Sequence, residues 1–216
     1  MKKGAIFDMD GLMFDTESMY QKVWREMAEE QGIHLPIEFT KEICGTNGDL
    51  LNSIVVKYYH TDNPQALFQR CISEVAEQLK QDVPVKPGLF EILSFFNDSG
   101  VKLAVASSSK PEMIRSNLRV SKTNHFFDAV VSGAELEHGK PEPDIFLLAA
   151  EQIGIEPKDC YVFEDSINGV LAGLAAGCTT IMVPDYIEPN DRIRNSDAHI
   201  CASLSEAMDR IRQGLI

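Results

Sequence analysis

The chain has 216 residues, of which 44% are hydrophobic and 25% are charged, as is ordinary for a soluble globular protein of one or two domains. Its formal net charge is −13, and such a surface repels nucleic-acid phosphates, so a nucleic-acid partner is not expected. An anionic small molecule could still bind, but only through a local group of cationic side chains.

The composition also bears on the compartment. The apolar run that precedes Asp8 is four residues long, too short for a signal peptide, and no apolar segment approaches membrane-spanning length. The five cysteines are scattered and contain no CxxC pair, which is typical of reduced core thiols. We therefore expect a cytoplasmic protein without a membrane partner.

The chain begins with an apolar run, Ala5–Phe7, that predicts a buried strand and is followed by Asp8, Asp10 and Gly11. Side chains two residues apart on an extended segment point to the same side. Two carboxylates at such a short distance must be neutralised by a cation or share a proton. A hard divalent ion such as Mg²⁺ takes oxygen ligands. The alternative is an ordinary turn, in which Asp and Gly are common.

The pattern from Thr16 to about Gln81 is helical. Thr16 is the predicted N-cap of a first helix that Gly32 ends. Two further amphipathic stretches follow, Leu50–Tyr58 and Pro64–Leu79. These patterns predict a small helical unit inserted directly after the first strand.

Beyond Pro84 and Pro87, short apolar strands alternate with helices, which predicts a parallel sheet covered on both faces. The predicted strands are Lys102–Ala106, Ala129–Ser132, Cys160–Phe163, Thr179–Val183 and a short edge strand at Ala198–Cys201. The predicted helices are Gly88–Asn97, Pro111–Arg119, Pro143–Ile153, Ile167–Ala176 and Leu204–Ile211.

The predicted fold class is therefore α/β, with a Rossmann-like parallel-sheet core and an inserted all-helical cap domain. The helical insert separates the first strand from the rest of its sheet, so the core is discontinuous in sequence. We assign residues 1–15 and 83–216 to the core and residues 16–82 to the cap.

Ligands of such sheets bind beyond the carboxyl ends of the strands. The second predicted strand ends at Ser107, the third leads towards Lys140, and the fourth is followed by Glu164 and Asp165. Together with the paired aspartates, this inventory suits a phosphoryl group held with a divalent metal. Taken singly, Ser107 could be a helix N-cap, Lys140 a solvated lysine, and the two acids first-turn residues that favour a helix dipole.

Four segments in this order resemble the motifs of the haloacid dehalogenase superfamily of aspartyl-phosphate enzymes. They read DMDGLMFDT, VASSS, GKPEPDIF and FEDSINGV, and the resemblance spans essentially the whole chain. The helical insert after the first motif is similar to the branch that contains β-phosphoglucomutase, phosphoglycolate phosphatase and sugar-phosphate phosphatases.

The resemblance implies roles for individual residues. Asp8 would be the nucleophile that forms a phosphoaspartate, and Asp10 would be the acid/base that protonates the leaving oxygen and then activates water. Ser107, with Ser108 beside it, and Lys140 would bind the substrate phosphate, and Lys140 would also offset charge in the transition state.

The same resemblance implies Mg²⁺ as the cofactor. Asp8, the backbone carbonyl of Asp10, and Asp165 would hold the ion, with Glu164 beside them. The second aspartate disfavours dehalogenation, because the dehalogenase members lack it.

We therefore expect a Mg²⁺-dependent phosphatase for a small phosphorylated metabolite of the sugar or polyol class, acting as a monomer or weak dimer. The first alternative is a β-phosphoglucomutase. Those mutases carry a histidine where this chain has Tyr20 and an arginine in the cap loop near Gly45–Asp49, which here offers no cation for a second phosphate. Tyr20 and Asn47 are the candidate substrate contacts of the cap.

A second alternative is a regulatory protein. A two-component receiver domain also uses paired acids, a hydroxyl and a lysine, but its phospho-acceptor aspartate ends the third strand, where this chain reads Val131-Ser132-Gly133. A phosphate-sensing relative without catalysis is the remaining possibility, and the intact Asp8/Asp10 pair argues against it.

Overall fold

The computed structural model describes residues 1–44, 46 and 48–216. One sheet of six strands forms the core, in the order β3-β2-β1-β4-β5-β6, and every neighbouring pair is parallel. The strands are β1 Gly4–Phe7, β2 Lys102–Ser107, β3 Ala129–Ser132, β4 Cys160–Glu164, β5 Thr179–Met182 and β6 His199–Ile200. This is the Rossmann order, in which the direction of winding reverses between β1 and β4.

Four helices of the described residues form the insert after β1, one more than the three that the sequence predicts. They are α1 Thr16–Glu30, α2 Ile37–Ile43, α3 Gly48–Tyr59 and α4 Pro64–Leu79. The remaining helices are α5 Leu89–Asp98, α6 Pro111–Val120, α7 Asp144–Ile153, α8 Ile167–Ala175, α9 Asp191–Arg194 and α10 Leu204–Arg212. The predicted α/β class with an inserted helical cap is confirmed.

Alternate residues of β1, β2 and β4 enter two different hydrophobic clusters, because successive side chains point to opposite faces of a sheet. On β1, Ala5 and Phe7 join the cluster that includes α5 and α10, whereas Ile6 joins the cluster that includes α7. Both faces of the sheet are therefore covered, and the polar ends of its strands are the part left open.

Two connecting segments join the helical insert to the sheet and run side by side. The backbone N–H of Asp15 donates to the carbonyl of Pro84 at 2.8 Å, and that of Lys86 donates to Met13 at 2.9 Å. Phe14 pairs with Val85 in an antiparallel bridge between them. The division into residues 1–15 with 83–216 and residues 16–82 stays a prediction.

Several predicted elements need correction. The N-cap of α1 is Asp15 rather than Thr16: its carboxylate accepts a hydrogen bond from the N–H of Ser18, and Thr16 is the first helical residue. The helix α3 extends one residue past the predicted stretch, to the buried Tyr59, and the side chain of Leu50 is 61% exposed. The helices α2 and α9 were not predicted. The other elements begin and end within a few residues of their predicted bounds.

No helix of the described residues has the length and apolarity needed to cross a membrane. The five cysteines are free thiols, and four of them are buried, in agreement with the predicted core role.

Candidate active site

Asp8 follows β1 at the point where the winding of the sheet reverses. Its backbone N–H donates to the carbonyl of Phe163 on β4 at 3.0 Å, which continues the β1–β4 pairing past the end of the strand. Only 6% of its surface is exposed. Burial raises the pKa of Asp8 to about 7, against the opposing charge of Lys140.

Lys140 lies between two carboxylates. Its Nζ donates to Oδ1 of Asp8 at 2.5 Å and to Oε1 of Glu164 at 2.6 Å, and its side chain is 9% exposed. Burial acts against its charge, but the charges of Asp8 and Glu164 raise the pKa of Lys140 above its ordinary value. Lys140 is thus a buried cation held beside Asp8, and the solvated-lysine alternative is wrong.

Glu164 ends β4 and is 1% exposed. Its second oxygen, Oε2, accepts hydrogen bonds from the backbone N–H of Ser166 at 2.8 Å and from Oγ of Ser166 at 2.9 Å. Both oxygens of Glu164 therefore accept hydrogen bonds from protein donors, and this carboxylate contributes to the site by holding Lys140.

Asp10 faces the end of β2. Its Oδ2 accepts hydrogen bonds from Oγ of Ser109 at 2.8 Å and from Oγ of Ser107 at 3.3 Å. Burial raises the pKa of Asp10 above its ordinary value, although these hydroxyls lower it in part. Asp10 can therefore retain a proton more readily than a solvated aspartate. The N-cap of α6 is Lys110, so Ser107 is free of that alternative role.

Asp165 packs against the loop that follows β1. Gly11 has φ of +86°, and a Cβ there would lie 2.4 Å from Oδ2 of Asp165, so only glycine permits this approach. Burial, together with the charges of Glu164 and Asp8, raises the pKa of Asp165 to about 9. A cation placed between Asp8 and Asp165 would relieve that repulsion.

In the described part of the chain, no three Asp, Glu, His or Cys side chains are grouped as a ready metal site. The donor set that fits is therefore small: the carboxylates of Asp8 and Asp165 and the nearby backbone carbonyl of Asp10. Mg²⁺ is commonly bound by one or two carboxylates together with water and substrate phosphate oxygens, so this set suits it.

These groups open into one cavity of about 380 Å³, bounded by the sheet on one side and the helical cap on the other. Ser108, predicted to bind phosphate, lines it and is exposed, and Tyr20 lines it from α1. Asn47, the other predicted cap contact, lies outside the described residues. The volume falls within the range of about 300–1,000 Å³ that is typical of small-molecule sites.

The model of the haloacid dehalogenase-like hydrolase family matches residues 5–183 of this chain. The chain belongs to that family.

Two curated relatives have named activities. Fructose-1-phosphate phosphatase YqaB of Escherichia coli (strain K12) is 32% identical over 83% of this chain and 95% of its own length. Hexitol phosphatase B of the same organism is 29% identical over 87% of this chain and 86% of its own. This hydrolase is thus similar along most of its length to phosphatases of small sugar and polyol phosphates.

Two solved structures agree with the fold over nearly the whole chain. A Thermotoga maritima protein described as a candidate β-phosphoglucomutase is 27% identical, covers 98% of this chain and 99% of its own, and has a TM-score of 0.83. A family hydrolase from Deinococcus radiodurans R1, solved with bound phosphate and sodium, is 26% identical, covers 100% and 97%, and has a TM-score of 0.82. The receiver alternative is excluded, since receivers have the strand order 2-1-3-4-5.

The sequence predicts seven residues of the core site in this hydrolase, and all of them line the cavity. They are Asp8, Asp10, Ser107, Ser108, Lys140, Glu164 and Asp165. Sequence reasoning missed Glu17, Ser109 and Asp185, which line the cavity too. Ser109 was available as the last of three consecutive serines after β2. Asp185 follows β5, and the strand-end rule that identified the other groups applies to that strand as well.

Proposed function

We propose that this hydrolase is a Mg²⁺-dependent phosphatase that cleaves a small sugar or polyol monophosphate through a phosphoaspartate on Asp8. The observation that carries the proposal is the pairing of two differently placed acids in one cavity. Lys140 pairs with Asp8 and favours its ionised form against the effect of burial. Asp10 instead accepts hydrogen bonds from Ser107 and Ser109, at a place where burial raises its pKa.

The chemistry divides into two displacements. A carboxylate oxygen of Asp8 forms a bond to phosphorus while the ester P–O bond breaks, and Asp10 gives its proton to the departing alkoxide. Asp10, now ionised, then takes a proton from a water molecule whose oxygen bonds to phosphorus while the P–O bond to Asp8 breaks. Inorganic phosphate leaves, and both aspartates return to their starting states.

The remaining residues bind and orient the phosphate. Lys140 carries the cationic charge beside Asp8, and Ser107 and Ser108 offer donors at the end of β2. Mg²⁺, when bound by Asp8, Asp165 and the carbonyl of Asp10, supplies the additional positive charge that a phosphate dianion needs in this acidic cavity. Glu164 supports this arrangement by holding Lys140; its predicted place among the metal ligands stays a prediction.

The substrate class rests on the relatives and on the cavity. The two curated relatives are named for fructose 1-phosphate and hexitol phosphates, which are polyhydroxylated monophosphates. The cavity matches that chemistry, because Lys140 is the one cationic side chain in its described lining. One phosphate has a cationic partner there, and a second phosphate has none.

The test is phosphate release by purified protein from fructose 1-phosphate, sorbitol 6-phosphate and p-nitrophenyl phosphate, with MgCl₂ or with EDTA. We expect Mg²⁺-dependent turnover that Asp8→Asn abolishes, because the amide keeps the shape of the side chain but not its attacking oxygen. Multiple turnovers by folded Asp8→Asn protein would refute the nucleophile assignment. Absence of turnover by wild type on all three esters would favour the phosphate-sensing alternative.

The second candidate is a β-phosphoglucomutase, which the likeness to the Thermotoga maritima structure favours. A mutase must hold a bisphosphate by both ends and shield the phosphoaspartate from water. The described lining of the cavity offers Lys140 at one end, and Glu17 and Tyr20 at the other. We therefore expect phosphate release to exceed glucose 6-phosphate formation from β-glucose 1-phosphate, with or without glucose 1,6-bisphosphate. Efficient isomerisation with little phosphate release would establish the mutase.

A further inference from the structure

A second cavity lies beside the active-site cavity, within the cap. Glu17, in the first turn of α1, and Tyr20, one turn later, line both the active-site cavity and this second cavity of about 220 Å³. The second cavity is largely apolar, and its other lining residues are Trp24, Ile43, Thr46, Leu51, Phe68 and Ile72. Glu17 and Tyr20 therefore form part of the cap side of the active-site cavity, opposite Lys140, and the organic part of a phosphate ester bound at Lys140 would face them.

The side chain of Glu17 is fixed at this position by a neutral group. Nε2 of Gln21 donates to Oε1 of Glu17 at 2.8 Å, and the neutral side chain of Cys44 lines the same cavity. The charges of Asp185 and Asp15 also act on this carboxylate, but both of these acids pair with Nζ of Lys86, at 2.6 Å and 3.4 Å. Within the described chain, no lysine or arginine forms an ion pair with Glu17.

Asp185 provides the contrast. It lines the same cavity from the segment after β5, but Nζ of Lys86 lies 2.6 Å from its Oδ1. The charge of Asp185 is therefore largely compensated by its partner, whereas that of Glu17 is not. Glu17 is the uncompensated negative group facing the organic part of the substrate.

We propose that Glu17 determines specificity by accepting a hydrogen bond from a hydroxyl of the leaving group and by repelling leaving groups that carry a second negative charge. A carboxylate accepts hydrogen bonds and donates none, so it binds a hydroxyl group favourably and repels another anion. The selected class is neutral, hydroxylated monophosphates; phosphoglycolate and sugar bisphosphates are disfavoured. This inference rests on the proposed phosphatase function.

The experiment compares selectivity ratios. Values of kcat/KM are measured for fructose 1-phosphate, phosphoglycolate and p-nitrophenyl phosphate with wild type, Glu17→Gln, Glu17→Asp and Glu29→Gln. Glu29 lies on the same helix and is exposed, so its substitution makes the same charge change away from the cavity. We expect Glu17→Gln to lower the ratio of kcat/KM for fructose 1-phosphate to kcat/KM for phosphoglycolate by about tenfold or more. Removal of the unit charge relieves the repulsion of phosphoglycolate, and it weakens the hydrogen bond to a hydroxyl of fructose 1-phosphate.

Glu17→Asp keeps the charge and shortens the side chain, so it should still disfavour phosphoglycolate, and Glu29→Gln should keep the wild-type ratio. If Glu17→Gln lowers activity on all three esters equally, its role is structural and the inference is wrong. A wild type that prefers phosphoglycolate overturns it as well. Turnover of p-nitrophenyl phosphate by wild type tests the phosphatase separately, so a failed selectivity result is distinguishable from a failed function.

Discussion

Replacing Gly169 with alanine tests how Lys140 is held in place. Gly169 lies in α8, and a Cβ built there would be 1.6 Å from Oε1 of Glu164 and 1.9 Å from its Cδ. No pair of non-bonded atoms tolerates such distances, and the carboxylate is 1% exposed, so it has no solvent to move into. Glu164 must shift, and Lys140 then loses one of its two carboxylate partners.

The magnitude follows from the contacts that are lost. Glu164 accepts hydrogen bonds from Nζ of Lys140 and from the N–H and Oγ of Ser166. Breaking a buried ion pair costs about 3–5 kcal/mol, whereas replacing glycine by alanine in a helix returns about 0.5–1 kcal/mol. We expect a net loss of about 2–4 kcal/mol in the free energy of unfolding, equivalent to roughly 5–15 °C in Tm.

Activity should fall further than stability alone would explain. Misplacing a catalytic group by about 1 Å can cost on the order of 100-fold in rate, so kcat/KM of Gly169→Ala for fructose 1-phosphate should fall by about that factor. The matched control is Gly173→Ala on the same helix. There a Cβ would lie 2.7 Å from Oγ1 of Thr180 and 3.0 Å from Cγ1 of Val162, away from the catalytic groups.

The control should therefore lose stability and keep kcat/KM near that of wild type. Both variants are measured by thermal unfolding and by phosphate release well below Tm. If Gly169→Ala does not fold, Glu164→Gln replaces it in both measurements. That variant removes the negative charge that pairs with Lys140 and adds no atom that overlaps a neighbour. Wild-type Tm and kcat/KM in Gly169→Ala, or an equal loss of activity in Gly173→Ala, would refute the reasoning.

Two further predictions concern the metal and the pH dependence of stability. Asp165→Ala should raise the Mg²⁺ concentration for half-maximal activity by about tenfold or more, since the ion loses one of few protein oxygens; full activity of EDTA-treated wild type without added metal would contradict this. Burial acts against ionisation of Asp128, but hydrogen bonds from Lys102 and the N–H of Leu103 outweigh it and lower the pKa of Asp128. Its stabilising contribution is then present above the ordinary aspartate pKa and is lost as the pH falls through the lowered value. In urea titrations, Asp128→Asn should be less stable than wild type at pH 7 by about 1 kcal/mol or less, and the difference should shrink as the pH is lowered below the ordinary aspartate pKa.

The core end of the candidate site was predictable because one rule of geometry governs where its residues lie. Parallel strands end at a common edge, so Asp8, Ser107 and Glu164, far apart in the sequence, had to meet there. The apolar strands and the glycine after the paired aspartates carried that information locally. The particular contacts were not predictable. Glu164 accepts hydrogen bonds from Lys140 and Ser166 because α8 packs against β4, and the sequence does not specify that packing.

The cap was less predictable, because its helices bury surfaces on one another and on the core. Helix α2 has seven residues, no side-chain hydrogen bond at its N-cap, and Ile37 exposed at its first position, so its pattern is weak. Asp15 and Thr16 are both competent N-caps, and the pairing of Asp15 with Pro84 in the connecting segments decides between them. Glu17 carried no signal that it faces the core, since its orientation follows from how α1 is placed over the sheet.

The distribution of charge along the cavity bears both on the need for a divalent ion and on the preference for a neutral leaving group. Six carboxylates line the described cavity, and Lys140 is its one cationic side chain, already shared between Asp8 and Glu164. A phosphate dianion placed at the core end meets an excess of negative charge unless a divalent ion lies between Asp8 and Asp165. That ion corrects the balance locally and leaves the cap end, at Glu17, negative. The same cavity can therefore require a cation to bind phosphate at one end and still prefer a neutral, hydroxylated group at the other.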